Sequence, residues 1–277
     1  MHSSRWRAGV TAAVLSTAAA TAFSLSAGAA SAASFHPTIT THPGFHAVTA
    51  TGEHHLLGTG PHTALGRAHA KSNITYSTNW GGYAADSTTY DSVTASWTQP
   101  TVTCNSSDED SYSAFWVGLD GYSSSTVEQT GTEADCEGTT ATYAAWYEAY
   151  PAASNTYSKT VKAGDSFTAT VTADGDVFDL VIEDKTQDWT ETEDVTVSGA
   201  DKSSAEVIVE APSSDSGVLP LSDFGTVKFT GAEANGTGFD SLDAIQMDIE
   251  SSAGELEEST SSLSDNDFTG TWDSTGE

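Results

Sequence analysis

From Asn79 onward the chain alternates apolar and polar residues with a period of two, and the three-to-four-residue spacing of an amphipathic helix is absent from that stretch. Thr, Val, Trp and Tyr fill the alternating runs, and turn-forming clusters separate them. The clearest runs are Ser92–Thr98, Ser113–Leu119, Tyr143–Tyr150, Ser166–Thr172 and Ser204–Ala211. Many short antiparallel strands in a domain of ~200 residues predict an all-β sandwich or barrel.

Period two also sorts faces, because successive side chains of a strand point to opposite sides of the sheet. In one strand Phe115, Val117 and Leu119 share a face, and Trp116, Gly118 and Asp120 share the other. In a second, Ala205, Val207, Val209 and Ala211 oppose Glu206, Ile208 and Glu210. In a third, Ala144, Trp146, Glu148 and Tyr150 fall together. Each strand therefore offers a core face and a face that mixes tryptophan with carboxylates. Aromatics beside a few polar groups suit the floor of a ligand groove. A solvated outer face of an acidic protein has the same pattern, since single exposed aromatics are common.

The chain is organised in three parts. Residues 1–32 carry Arg5 and Arg7, then an uncharged Ala/Val/Leu-rich run, then Ala30-Ser31-Ala32, the three regions of a removable signal peptide. The protein is therefore expected to be secreted and extracellular. No second apolar run approaches the ~20 residues of a spanning helix, so no membrane contact is expected once the signal is removed. Residues 33–72 hold seven of the eight histidines among Pro, Gly and Thr, the pattern of a cationic propeptide or an unstructured linker. Residues 73–277 form the expected single folded domain, read as a monomer.

Charge divides at the same place. The first 72 residues hold four Lys/Arg and one acid; the remainder holds 38 acids against five lysines and no arginine, a formal balance of −33. Nucleic acid and anionic membranes are bound through Lys and Arg and would be repelled by such a surface. The balance suits work at acid pH or at high salt. With every histidine at or before His69, the domain lacks the imidazole needed for a Ser-His-Asp triad, a Cys-His pair or a histidine-ligated zinc. Cys104 and Cys136, an even pair in an exported chain, are expected to form one disulfide. Asp174-Gly-Asp176 and Asp108-Glu-Asp110 lack the full ligand series of a calcium loop and read as loop acids, so no metal is expected. Asn73, Asn105 and Asn235 head formal glycosylation sequons.

Six motifs then occur in order: Asn79-Trp-Gly-Gly-Tyr83, Trp97-Thr-Gln-Pro-Thr101, Phe115-Trp-Val-Gly-Leu-Asp-Gly121, Val127-Glu-Gln-Thr-Gly131, Ala145-Trp-Tyr-Glu-Ala-Tyr-Pro151 and Ala205-Glu-Val-Ile-Val-Glu210. Their order and spacing resemble the glutamic peptidase, or eqolisin, family over residues 77–260, in the manner of a bacterial-type secreted member. Asp223-Phe-Gly225 and Met247-Asp-Ile-Glu250 look like its C-terminal strands. The resemblance implies a sandwich of two antiparallel sheets, similar to the concanavalin-like lectins and glucanases, with the active site on the concave sheet. It puts the catalytic glutamine at Gln129 and the catalytic glutamate at Glu210, with Trp116, Asp120, Trp146 and Glu148 lining or supporting the site. Two positions depart from the family pattern: Ala144 stands where an Asp is common, and Thr132-Glu133 stand where an aromatic-Asp pair is common.

A glutamate and a glutamine are chemically sufficient for peptide hydrolysis. An ionised Glu210 takes the proton of the attacking water and returns it to the leaving amine, while the Gln129 amide donates to the oxyanion. Glu206, four residues before Glu210 on the same face, is the second candidate base. No cofactor is implied; the partners implied are polypeptide substrates and the chain's own propeptide. Two other readings fit the bare residues: a glycan-binding or glycan-cleaving sandwich that uses the groove's tryptophans and paired carboxylates, and a non-catalytic surface domain.

Overall fold

The computed structural model describes residues 74–105, 109–214 and 217–276, all within one compact unit, Ala47–Glu277. The expected signal peptide, the 33–72 segment, every histidine and Asn73 lie outside the described residues.

The first strands are β1 (Ile74–Ser77), β2 (Trp80–Ala85), β3 (Ser92–Thr98), β4 (Ala114–Leu119), β5 (Val127–Glu137) and β6 (Thr140–Tyr150). Next come β7 (Asn155–Thr156), β8 (Ser166–Asp174), β9 (Val177–Asp184), β10 (Trp189–Thr196), β11 (Ala205–Glu210), β12 (Ser213–Ser214) and β13 (Gly217–Val218). The last are β14 (Thr226–Ala234), β15 (Thr237–Gly238), β16 (Ile245–Glu250), β17 (Leu256–Thr260) and β18 (Phe268–Trp272), with a single 3-10 turn at Phe239–Ser241. All five runs expected from alternation are strands, within a few residues at each end.

Hydrogen bonding runs β10-β9-β8-β3-β14-β18-β17-β16-β2-β11-β4-β5-β6-β7, and β1 adds to β16 in parallel. The path folds back on itself into a sandwich: β4 and β5 lie against β8 and β9, and β11 lies against β3 and β14. Between the layers are the side chains that alternation assigned inward. Phe115, Val117, Leu119, Val207 and Val209 come from one layer, and Trp97, Phe167, Leu180 and Phe229 come from the other. Aromatic contacts tie them together, with Trp97 5.7 Å from Phe229 and Phe115 edge-on to Phe224 at 5.3 Å. The one polar atom of Trp97, Nε1, donates to Thr132 Oγ1 at 3.0 Å, so this indole is buried without a desolvation cost.

Asp223-Phe-Gly225 is not a strand, in contrast to the expectation from the motifs. The Asp223 carboxylate accepts from the Gly225 N–H at 3.1 Å, and Gly225 takes φ 63°, so the chain turns here and β14 begins only at Thr226. Met247–Glu250 does lie in β16. Cys104 and Cys136 form the expected disulfide, which fastens the segment after β3 to the end of β5. Among the described residues no helix is long and apolar enough to cross a membrane.

Candidate active site

The outer face of the β2-β11-β4-β5-β6 layer is organised in three rows of cross-strand neighbours. The central row is Gly82, Ile208, Trp116, Gly131, Trp146. On one side runs Ala84, Glu206, Gly118, Gln129, Glu148, and on the other Trp80, Glu210, Ala114, Glu133, Ala144. Gln129 and Glu210 thus share a face two strands apart, one row on either side of Trp116.

Glycine makes this floor possible. A Cβ on Gly131 would lie 2.5 Å from Trp116 Cβ and 2.2 Å from the Phe115 carbonyl oxygen, and one on Gly118 would lie 2.9 Å from Trp116 Cζ3. With hydrogen at both places, the Trp116 indole has room to reach toward Glu210 on β11 and to meet Trp80 edge-on at 5.0 Å. Trp80, Trp116, Trp146, Ile208 and Met247 form a small apolar cluster separate from the main core.

Glu210 is held inside that cluster. Trp116 Nε1 donates to its Oε2 at 2.8 Å and Asn79 Nδ2 approaches its Oε1 at 3.4 Å, while the Trp80 indole adds a further pull short of a closed hydrogen bond. Asn79 is itself set by Ser77, whose hydroxyl donates to Asn79 Oδ1 at 3.1 Å. Burial outweighs these donors and pushes Glu210 up to about 8.

Gln129 is positioned from the opposite side, where its Nε2 donates to Glu148 Oε2 at 2.8 Å. Its carbonyl Oε1 is buried without a partner, as are the indole N–H groups of Trp80 and Trp146. A buried polar atom left unpaired costs about 1–3 kcal/mol. Several such atoms on one face, beside a carboxyl group, are arranged for a polar ligand and not for packing.

Trp116, Trp146 and Glu148 therefore lie on the face to which alternation assigns them. Asp120 does not. It lies past the end of β4 with φ 69° and accepts from the Lys202 and Ser203 backbone N–H groups at 2.7 and 2.8 Å, so it anchors the loop that leads into β11. Glu206 shares the row of Gln129, but its surroundings are Ser204, Asp120 and Glu128, and burial raises it well above the usual carboxylate range. Asn79 and Trp80 were given no role from sequence. Their signal was present in the Asn79-Trp-Gly-Gly-Tyr83 motif, which opens the strand beside Glu210.

A β-sandwich with a glutamate and a glutamine on either side of a tryptophan is the arrangement that the resemblance to the glutamic peptidases implies. Residues 78–272 match the model of the Peptidase A4 family, and the chain belongs to that family as a peptide-bond hydrolase. It is 32% identical over 219 residues to Aspergillopepsin-2 of Aspergillus niger, covering 70% of this chain and 78% of that one. It is 38% identical over 104 residues to Scytalidopepsin B of Scytalidium lignicola, covering 37% and 38%. Among solved structures, scytalido-glutamic peptidase with a transition state analog inhibitor superposes with a TM-score of 0.61 at 26% identity, covering 70% of this chain and 98% of that one. Aspergilloglutamic peptidase from Aspergillus niger gives 0.53 at 30% identity, covering 58% and 99%. These relatives carry fungal names, and the bacterial-type assignment has no support among them.

Proposed function

We propose that this protein is a secreted, acid-active endopeptidase in which Glu210 moves the protons and Gln129 holds the tetrahedral oxygen. The carrying observation is the placement of Gln129 and Glu210 on either side of Trp116, the first with an unspent carbonyl oxygen and the second held by two side-chain donors.

Burial sets the order of proton transfer. The sequence reading began the cycle with an ionised Glu210, but a carboxyl group raised to about 8 carries its proton at acid pH. A peptide bond lying over Trp116 then receives that proton on its carbonyl oxygen as water adds to the carbonyl carbon. Gln129 assists with its second amide hydrogen toward the new C–O(H) group and with Oε1 accepting from the water. Glu210, now ionised, takes the extra proton of the added water and passes it to the amide nitrogen as the C–N bond breaks. As the amine leaves, the remaining C(OH)2+ group gives one hydroxyl proton back to Glu210 and becomes the carboxylic acid, so the cycle returns Glu210 protonated, and its active form is lost as pH rises through about 8.

Export follows from the 1–32 leader. The 33–72 segment acts as an inhibitory propeptide, attracted through Arg67, Lys71 and its histidines to a domain of formal charge −33. It loosens as the domain's acids protonate, with activation steep between roughly pH 5 and 3. The separate 33–72 peptide added to mature enzyme at pH 4.5 is expected to inhibit, and less so at high salt. A peptide without effect at micromolar concentration makes the segment a linker.

The function is tested by digesting an unfolded protein across pH 2–8, with and without inhibitors of aspartic peptidases and metallopeptidases. Cleavage at acid pH that resists both inhibitors is expected. Suppression by either one contradicts the dyad.

A further inference from the structure

Glu133 stands in the row of Glu210, with only Ala114 between them, and its other cross-strand neighbour is Ala144. A long acidic side chain is thus flanked by two methyl groups, which leaves space above both. The residue is partly exposed, and so are Ala144 and Thr142 beside it, in contrast to the fully buried Trp116 and Gln129.

The backbone oxygen of Glu133 accepts from Gln99 Nε2 at 3.0 Å, but its carboxyl group makes no hydrogen bond or ion pair among the described residues. Among the described residues the lysine pairs lie elsewhere, at Lys159–Glu191, Lys202–Asp91 and Lys228–Asp267. Among the described residues every group facing Glu133 is neutral or acidic: Ala114 and Glu210 across β4 and β11, Ala144 and Thr142 on β6, and Asp135 two residues along the same face. A partly desolvated carboxyl group with no cation and no donor lacks its complement, and a substrate ammonium or guanidinium would supply one.

We infer that Glu133 is a specificity-determining residue of this peptidase, receiving a lysine-type cationic side chain from the substrate residue that lies over Ala114, beside the bond to be cut. This rests on the reading of the face as a peptide-cleaving groove. The two departures from the family pattern, Glu133 and Ala144, are direct cross-strand partners, so they alter one place in the groove together. Burial pushes Glu133 up to about 7, so its charge, and with it the selectivity, grows as pH rises toward that value.

The test uses mature enzyme and the variants Glu133→Gln and Glu133→Ala, each checked for native β-sheet circular dichroism. Internally quenched peptides differ only in carrying Lys, norleucine or Glu at one of the two positions on either side of the cut. For wild type, one position is expected at which kcat/KM for Lys exceeds that for norleucine by about tenfold or more at pH 6.5, with Glu poorest and a smaller ratio at pH 4. In both variants that ratio should collapse toward one. A lysine preference that survives in both variants, or no lysine preference at any position in wild type, overturns the assignment of Glu133 while leaving the peptidase intact. If Glu133 serves only to tune Glu210, the variants will shift the pH dependence of all peptides alike and leave their ranking unchanged, which also overturns it. Wild type that cuts none of the peptides and no unfolded protein overturns both this assignment and the peptidase reading.

Discussion

Glu210 is a carboxyl group buried among indoles with no cation beside it, and the Trp116 hydrogen bond is the strongest force holding its charged form down in pKa. Trp116→Phe keeps the ring contact with Trp80 but removes that donor. The Glu210 pKa should then rise further, moving the alkaline limb of kcat/KM to higher pH, and the loss of a charge-assisted hydrogen bond should cost roughly tenfold or more in kcat. A pH–rate profile on a peptide substrate checks both; a limb that moves down in pH contradicts the geometry. Of these residue-scale features the sequence nominates Gln129 and Glu210, through motif order and not through chemistry, since one Glu among 38 acids carries no mark of its own. Asn79 escaped notice because its contact with Glu210 spans 131 positions. Asp120 was misplaced because alternation was carried one residue past the strand end, where the backbone turns to positive φ.

At the scale of elements, alternation was enough to sort faces. Phe115, Val117 and Leu119 lie in the core, and Trp116, Ile208 and Trp146 lie in the second cluster, as period two requires. The rows that join these strands were not legible, because register depends on which strands pair. β11 slots between β2 and β4, strands more than 80 residues earlier in the chain, and no local signal encodes that. The glycines carry the pairing's geometric demand. Gly131→Ala puts a Cβ against the Phe115 carbonyl and Trp116, so a stability loss of about 1–3 kcal/mol and a displaced indole are expected, read as a lower urea midpoint with weakened kcat. An unchanged midpoint would show that the floor is looser than its contacts imply. The disulfide closes a loop of 32 residues onto β5, and replacing both cysteines with serine should lower stability by about 3 kcal/mol in the same assay.

For the whole molecule the governing fact is the number of carboxyl groups buried without cations. Burial pushes Glu128 and Glu210 up to about 8 and Glu257 up to about 7, and raises Glu206 and Glu258 well above the usual range. Asp267, hydrogen-bonded to Lys228, is shifted down. The native state therefore holds protons that the unfolded chain releases above about pH 4.5, and stability falls as pH climbs from there to about 8. The mutual repulsion of a domain at −33 acts in the same direction. Urea midpoints should be highest near pH 4 and drop steadily toward pH 8, and a midpoint that rises over this span would contradict the account. The excess of acid was plain in the composition; which acids are buried was not, because alternation assigns a side chain to a face and does not say what covers that face. The most direct test of the central claim is kcat for a peptide substrate at acid pH, measured on wild type and on Glu210→Gln with native circular dichroism. A loss of about a hundredfold or more is the predicted result; a folded Glu210→Gln protein that keeps more than roughly a tenth of wild-type kcat would show that Glu210 does not move the proton.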